Sequence, residues 1–125
     1  MPGPEKTFEN KIKEYVSSIG GWSIKYWGGA KYTKSGIPDL LCGINGYFVA
    51  IEVKSDNGRP KSLQLVKIRE MRKAGIIAFV LYPDQFDEFT ELCTMLKNKC
   101  YLGAQGCLYT FDKKLTDKEL KILLK

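Results

Sequence analysis

Two strand-like runs, Ile37 to Ile44 and Tyr47 to Lys54, are separated only by Asn45-Gly46. That dipeptide is the preferred occupant of a two-residue type I′ turn, because both residues tolerate positive φ and the turn's twist matches that of the flanking strands. A tight antiparallel hairpin is expected, and its loop length fixes the register. Residue 44 opposes residue 47, and counting outward sets Asp39 directly against Glu52. Pro38 fits only near the start of its strand, where a lost ladder hydrogen bond matters least.

The remaining pattern places this hairpin in an α/β domain. Phe8, Ile12, Tyr15, Val16 and Ile19 form one apolar stripe on a helix from about Glu5 to Ser18, which Gly20-Gly21 ends. Trp22 to Trp27 reads as a strand; Trp22, Tyr26 and Trp27 are of a kind that can stack on nucleic-acid bases, but strand aromatics are more often core and are expected there. Gly28-Gly29 breaks it, and a basic loop with Lys31 and Lys34 leads to the hairpin. Ser62 can cap a helix running to Lys73, with Gly75 just past its end, and Ile76 to Tyr82 is a further strand. A strand, helix, strand succession implies a right-handed crossover and a parallel pair, so the sheet is expected to be mixed. Beyond Tyr82 the periodicity predicts a helix over about 84–97 and a short strand from Leu108 to Phe111. Thr116 with Glu119 makes a capping box for a terminal helix.

With 125 residues and no repeat or linker, the chain is expected to be a single domain over 1–125. Its longest apolar run, Ile76 to Tyr82, is far below the roughly 18 residues that span a bilayer. The first residues carry no apolar signal stretch, so a cytoplasmic location without a membrane partner is expected. A formal charge of +6 favours polyanionic partners. The absence of histidine is more restrictive, because it excludes histidine bases, histidine–metal nuclease motifs and Cys/His fingers. Cys42, Cys93, Cys100 and Cys107 contain no C-x-x-C pair, so mostly buried, reduced thiols are expected and zinc is not. Catalysis in such a chain runs on carboxylates, lysine or cysteine.

Side chains alternate along Tyr47 to Lys54, so Glu52 and Lys54 share an otherwise apolar face with Phe48 and Ala50. Cross-strand partners lie about 4.5–5.5 Å apart at Cβ, close enough for Asp39 and Glu52 to reach one hard cation. Two facing carboxylates destabilise a hairpin unless a divalent ion, aided by Lys54, compensates them. Such a site suits phosphoryl transfer: the ion polarises the phosphate and acidifies a water, while the ammonium orients that water or offsets developing charge.

Glu9 lies about 100° from Phe8 on the first helix and close to Val16. It either turns into the site, as a further metal ligand or the holder of a metal-bound water, or sits solvated on the helix flank. Glu5 is a weaker competitor, and Glu14 points away. Gln64 falls between Ile68 and Met71, an odd place for an amide without a partner. It either orients the catalytic face, contacts phosphate, or is an exposed first-turn residue. Lys31, Lys34, Arg59 and Lys61 lie in loops flanking the proposed site, where they can hold DNA phosphates.

Ile37-Pro38-Asp39 followed by Glu52-Val53-Lys54 resembles the P-D…(D/E)-x-K signature of the restriction-endonuclease-like superfamily. With Glu9, Ser35-Gly36-Ile37-Pro38-Asp39-Leu40, Ile51-Glu52-Val53-Lys54 and Gln64, the pattern is similar to the virus-type replication-repair nuclease family, in particular its compact stand-alone phage members. The match covers about residues 7–82, leaving 83–125 as a C-terminal extension without a transferable motif. The resemblance implies a restriction-endonuclease-like core of helix, three strands, helix and strand. It implies Asp39, Glu52 and the Val53 carbonyl as ligands of Mg2+, with Mn2+ able to substitute, Lys54 as the catalytic lysine, and Glu9 and Gln64 as supporting residues. It further implies a homodimer acting on branched DNA such as four-way junctions, in the host-cell cytoplasm if phage-encoded. A noncatalytic DNA-binding module that retains the fold is the competing reading. A sequence-specific restriction enzyme is less attractive, because no separate recognition element is visible.

Overall fold

The structure, a computed structural model, describes residues 3–27 and 35–125. In chain order the elements are α1 (Pro4–Ser18), β1 (Trp22–Lys25), β2 (Leu40–Ile44), β3 (Tyr47–Val53), α2 (Ser62–Lys73), β4 (Ile77–Leu81), α3 (Phe86–Lys97), α4 (Tyr101–Asp112) and α5 (Asp117–Leu123). A 3-10 turn, Pro83–Gln85, leads into α3. The strands form one sheet in the order β1-β2-β3-β4, antiparallel across the first three and parallel between β3 and β4. The chain is therefore mixed α/β, with a four-stranded mixed sheet and helices packed on it. No helix among the described residues is long and apolar enough to cross a membrane.

The hairpin forms as its turn residues dictate. Asn45 and Gly46 adopt φ of 50° and 87°, and the pairing runs from Ile44 against Tyr47 to Leu40 against Ile51. The Asn45 amide also donates to the carbonyls of Leu96 and Lys97 at 2.9 and 3.2 Å, which joins the turn to the end of α3. Strand alternation then divides the core between two faces. Val49, Ile51 and Val53 pack with Phe8, Ile12 and Val16 of α1 and with Phe89 and Leu92 of α3. On the opposite face Ala50, Ala78 and Val80 pack with Leu65 and Ile68 of α2 and Leu123 of α5. Every residue of β4 is buried, as expected of a strand covered on both faces.

Four expectations need correction. The aromatics of β1 are not core: Trp22 and Trp27 are 67% and 70% exposed, and the strand ends at Lys25. The α2 and α5 cluster centres on β3 and β4, and the outer part of that sheet face stays open, where Trp22, Ile24 and Phe48 line a surface groove. The segment from Leu108 to Phe111 is the end of helix α4, not a strand. Ala104, Leu108 and Phe111 are the buried apolar residues of that helix, at helical spacing, and Gly103 allows a close approach to α3: a Cβ there would stand 3.1 Å from Met95 Sδ. Of the four thiols only Cys42 and Cys93 are buried, while Cys107 is half-buried and Cys100 exposed. Ser62 is the first residue of α2 rather than its cap, and Lys61 occupies the cap position.

The extension after Tyr82 is part of the same core. Phe111 of α4 stacks on Phe79 of β4 with ring centroids 4.2 Å apart. Arg72 at the end of α2 makes a two-pronged ion pair with buried Asp112, both contacts at 2.9 Å. Thr116 and Glu119 form the expected capping box on α5.

Candidate active site

Asp39 sits one residue before β2, where two backbone contacts hold it. Its carbonyl accepts the Tyr26 N–H at 2.7 Å, continuing the β1–β2 ladder one step, and its Oδ2 accepts the Val53 N–H at 3.0 Å. The preceding segment is fixed by Gly36, which has φ of 83° and approaches α2 so closely that a Cβ there would stand 3.0 Å from the Leu63 carbonyl oxygen. Only glycine combines that backbone conformation with that proximity. Within a strand a residue's N–H and C=O point the same way, so the Val53 carbonyl is directed toward the side of the strand on which Asp39 lies.

Glu52 is the next to last residue of β3 and is 1% exposed. Its Oε2 accepts a hydrogen bond from Gln64 Nε2 at 3.1 Å and lies 3.3 Å from Lys54 Nζ. Its Oε1 is buried and has no donor among the described residues. Burial, and then the negative charge of Asp39, push the Glu52 carboxyl up to about 8, with Lys54 pulling the other way. A proton on Glu52 turns its contact with Asp39 into a hydrogen bond. Without that proton, two carboxylates face each other across a buried oxygen that lacks a donor.

Gln64 is held at both ends of its amide, since its Oε1 accepts the Lys61 N–H at 2.8 Å. The first turn of α2 thus completes its own cap and aims the amide nitrogen at Glu52 with one side chain.

Glu9 is 2% exposed on α1, but lysines surround its carboxylate. Lys25 binds Oε1 at 2.6 Å, Lys6 binds Oε2 at 2.7 Å, and Lys13 lies 3.8 Å from Oε2. Burial raises the Glu9 carboxyl, yet the hydrogen bonds and charges of Lys25 and Lys6 outweigh it and leave the group below its ordinary value. Lys25 also reaches Asp39 Oδ1 at 3.4 Å, so it bridges the two acids. Burial lowers the Lys25 ammonium, but its contacts with Glu9 and Asp39 raise it above its usual range.

The structure therefore brings Asp39, Glu52, Lys54 and Gln64 together, with Glu9 joined to them through Lys25. Among the described residues no group of three or more acidic or cysteine side chains converges as a metal-holding cluster. The donors that fit a hard divalent cation are the Asp39 and Glu52 carboxylates, with the buried Glu52 Oε1 lacking any other partner. Lys31 and Lys34 lie outside the described residues. The Arg59 guanidinium is bound to Glu119 and to the Lys114 carbonyl, and it lies over the Tyr82 ring. It ties the loop after Lys54 to α5. Lys61 is exposed at the start of α2.

Lys25 is the residue that sequence reasoning missed. Its signal is weak, a lysine at the end of an aromatic strand, and its position depends on how β1 pairs with β2.

No protein-family model, no curated protein and no solved structure matches the chain.

Proposed function

We propose that the protein is a Mg2+-dependent, structure-selective DNA endonuclease with a restriction-endonuclease-like core, of the virus-type replication-repair nuclease kind. The observation that carries this reading is the pairing of Asp39 with Glu52 at the end of the hairpin, where a buried Glu52 oxygen has no donor among the described residues and Lys54 stands alongside. Ionising the buried Glu52 carboxylate beside Asp39 is costly, and the neighbouring Lys54 offsets that cost only in part.

In this reading Asp39, Glu52 and the Val53 carbonyl hold Mg2+ or Mn2+. When bound, the ion supplies polarisation of the scissile phosphate and acidification of a water. Asp39 is oriented by the Val53 N–H, and Gln64 fixes the rotamer of Glu52. Lys54 presents an ammonium that orients the attacking water and offsets charge developing on the phosphate. Exposed Lys61 and the lysines at 31 and 34 hold neighbouring phosphates, and the net charge of +6 favours the encounter with DNA. Arg59 contributes to that surface only if it leaves Glu119.

One such site cuts one strand. Two identical sites related by two-fold symmetry match the symmetry of a four-way junction, so the active species in this reading is a homodimer in the cytoplasm. The test is cleavage of single-stranded, duplex, flap and four-way-junction DNA with added Mg2+ or Mn2+, with light scattering at the assay concentration. Metal-dependent cutting of branched DNA by a dimer is expected. Binding without cutting on every substrate would favour the noncatalytic module, and an active single chain would remove the dimer while leaving the chemistry.

A further inference from the structure

Among the described residues two lysines flank the Asp39–Glu52 pair, and they are held differently. Lys54 lies 3.3 Å from Glu52, one residue past the end of the same strand. Lys25 reaches the pair from β1, and its Nζ is shared unequally, at 2.6 Å from Glu9 and 3.4 Å from Asp39. Glu9 is its anchor, because α1 buries that carboxylate almost completely, and Asp39 is the looser partner. The ammonium is itself largely enclosed, with the Lys25 side chain 19% exposed, so solvent screens it poorly.

We infer that Lys25 is the resident counter-cation of the Asp39–Glu52 site, a positioning residue that Glu9 holds against Asp39 and that opposes entry of a divalent ion. The inference rests on the metal-dependent reading above. Its physical basis is direct. A positive charge 3.4 Å from a ligand oxygen stabilises Asp39 when no metal is bound, and repels any cation that shares that carboxylate. The unequal distances allow release: when Asp39 turns to the ion, Lys25 keeps its shorter bond to Glu9 and is not left as an unpaired buried charge. Glu9 thereby acts on the site through Lys25. The chain thus keeps Asp39 compensated without metal, at the cost of weaker affinity for the ion.

The test is Mn2+ titrated into the metal-free protein without DNA, with the free ion read by its electron paramagnetic resonance signal. Wild type, Lys25→Met, Lys25→Arg and Glu52→Gln are compared, and circular dichroism checks that each is folded. Lys25→Met removes the charge but keeps much of the stem, and should bind Mn2+ about tenfold more tightly than wild type, the scale of one partly screened charge at this range. Lys25→Arg keeps the charge and should stay near wild type. If Lys25→Met does not fold, Lys25→Gln serves in its place, with the same tightening expected. Unchanged or weaker binding on loss of the charge, with wild-type binding abolished by Glu52→Gln, would overturn the role of Lys25 and leave the metal site standing. Absence of Mn2+ binding in every folded protein, or binding indifferent to Glu52→Gln, would overturn the metal-site reading, and the Lys25 inference with it.

Discussion

Gln64 donates its amide hydrogen to Glu52 across the gap between α2 and β3, at 3.1 Å, while its other amide atom closes the first turn of its own helix. A residue that caps a helix is ordinarily replaceable at a cost in stability alone. Here the same side chain also sets the position of a buried carboxylate. Gln64→Ala is therefore expected to lower cleavage by about 10–100-fold, the usual range for a residue that orients a metal ligand, while phosphate contacts keep DNA affinity within a few-fold. Steady-state rates and a binding titration on one DNA substrate separate the two effects.

The Glu52 carboxyl gives a pH signature. Its folded value, about 8, lies above the ordinary value of 4.5. The stability linked to its proton is fully present below about 4.5, and is lost as pH rises through about 8. Metal-free protein should lose melting temperature over that window, by an amount on the order of a few kcal/mol in stability. Mg2+ or Mn2+ should restore more at the upper end, where Glu52 is ionised. Glu52→Gln should flatten both trends. Thermal melts in chelator and in metal across this pH range measure them.

The ion pair of Arg72 with Asp112 ties α2 to α4, and both side chains are largely enclosed. Asp112→Ala would leave a guanidinium without its partner, so a loss of about 2–4 kcal/mol is expected. Denaturant unfolding reads that loss. Activity per folded molecule should not change, because the pair lies outside the carboxylate site.

The hairpin and its register were legible because they depend on local chemistry. Asn45-Gly46 selects one turn, and that turn sets Leu40 opposite Ile51, which brings Asp39 beside Glu52. Gln64 stood out for a similar reason, as an amide among apolar helix positions. Lys25 was hidden because its place depends on the pairing of β1 with β2 and the approach of α1, contacts made across the fold. The exposure of Trp22 and Trp27 was hidden too. Composition shows that a strand is aromatic, whereas burial depends on which part of the sheet the helices cover. In α4 the glycines at 103 and 106 interrupt an otherwise helical pattern, so its last apolar residues resembled a strand.

The central claim, that Asp39 and Glu52 form a metal-dependent cleavage site with Lys54, is tested most directly by comparing wild type with Glu52→Gln and Lys54→Ala on branched DNA, with cleavage and binding measured on the same preparations. Both variants should remain folded and bind DNA within a few-fold of wild type, since phosphate contacts elsewhere supply most of the affinity, yet cleave at background in Mg2+ or Mn2+. Full metal-dependent cleavage by either folded variant would contradict the claim.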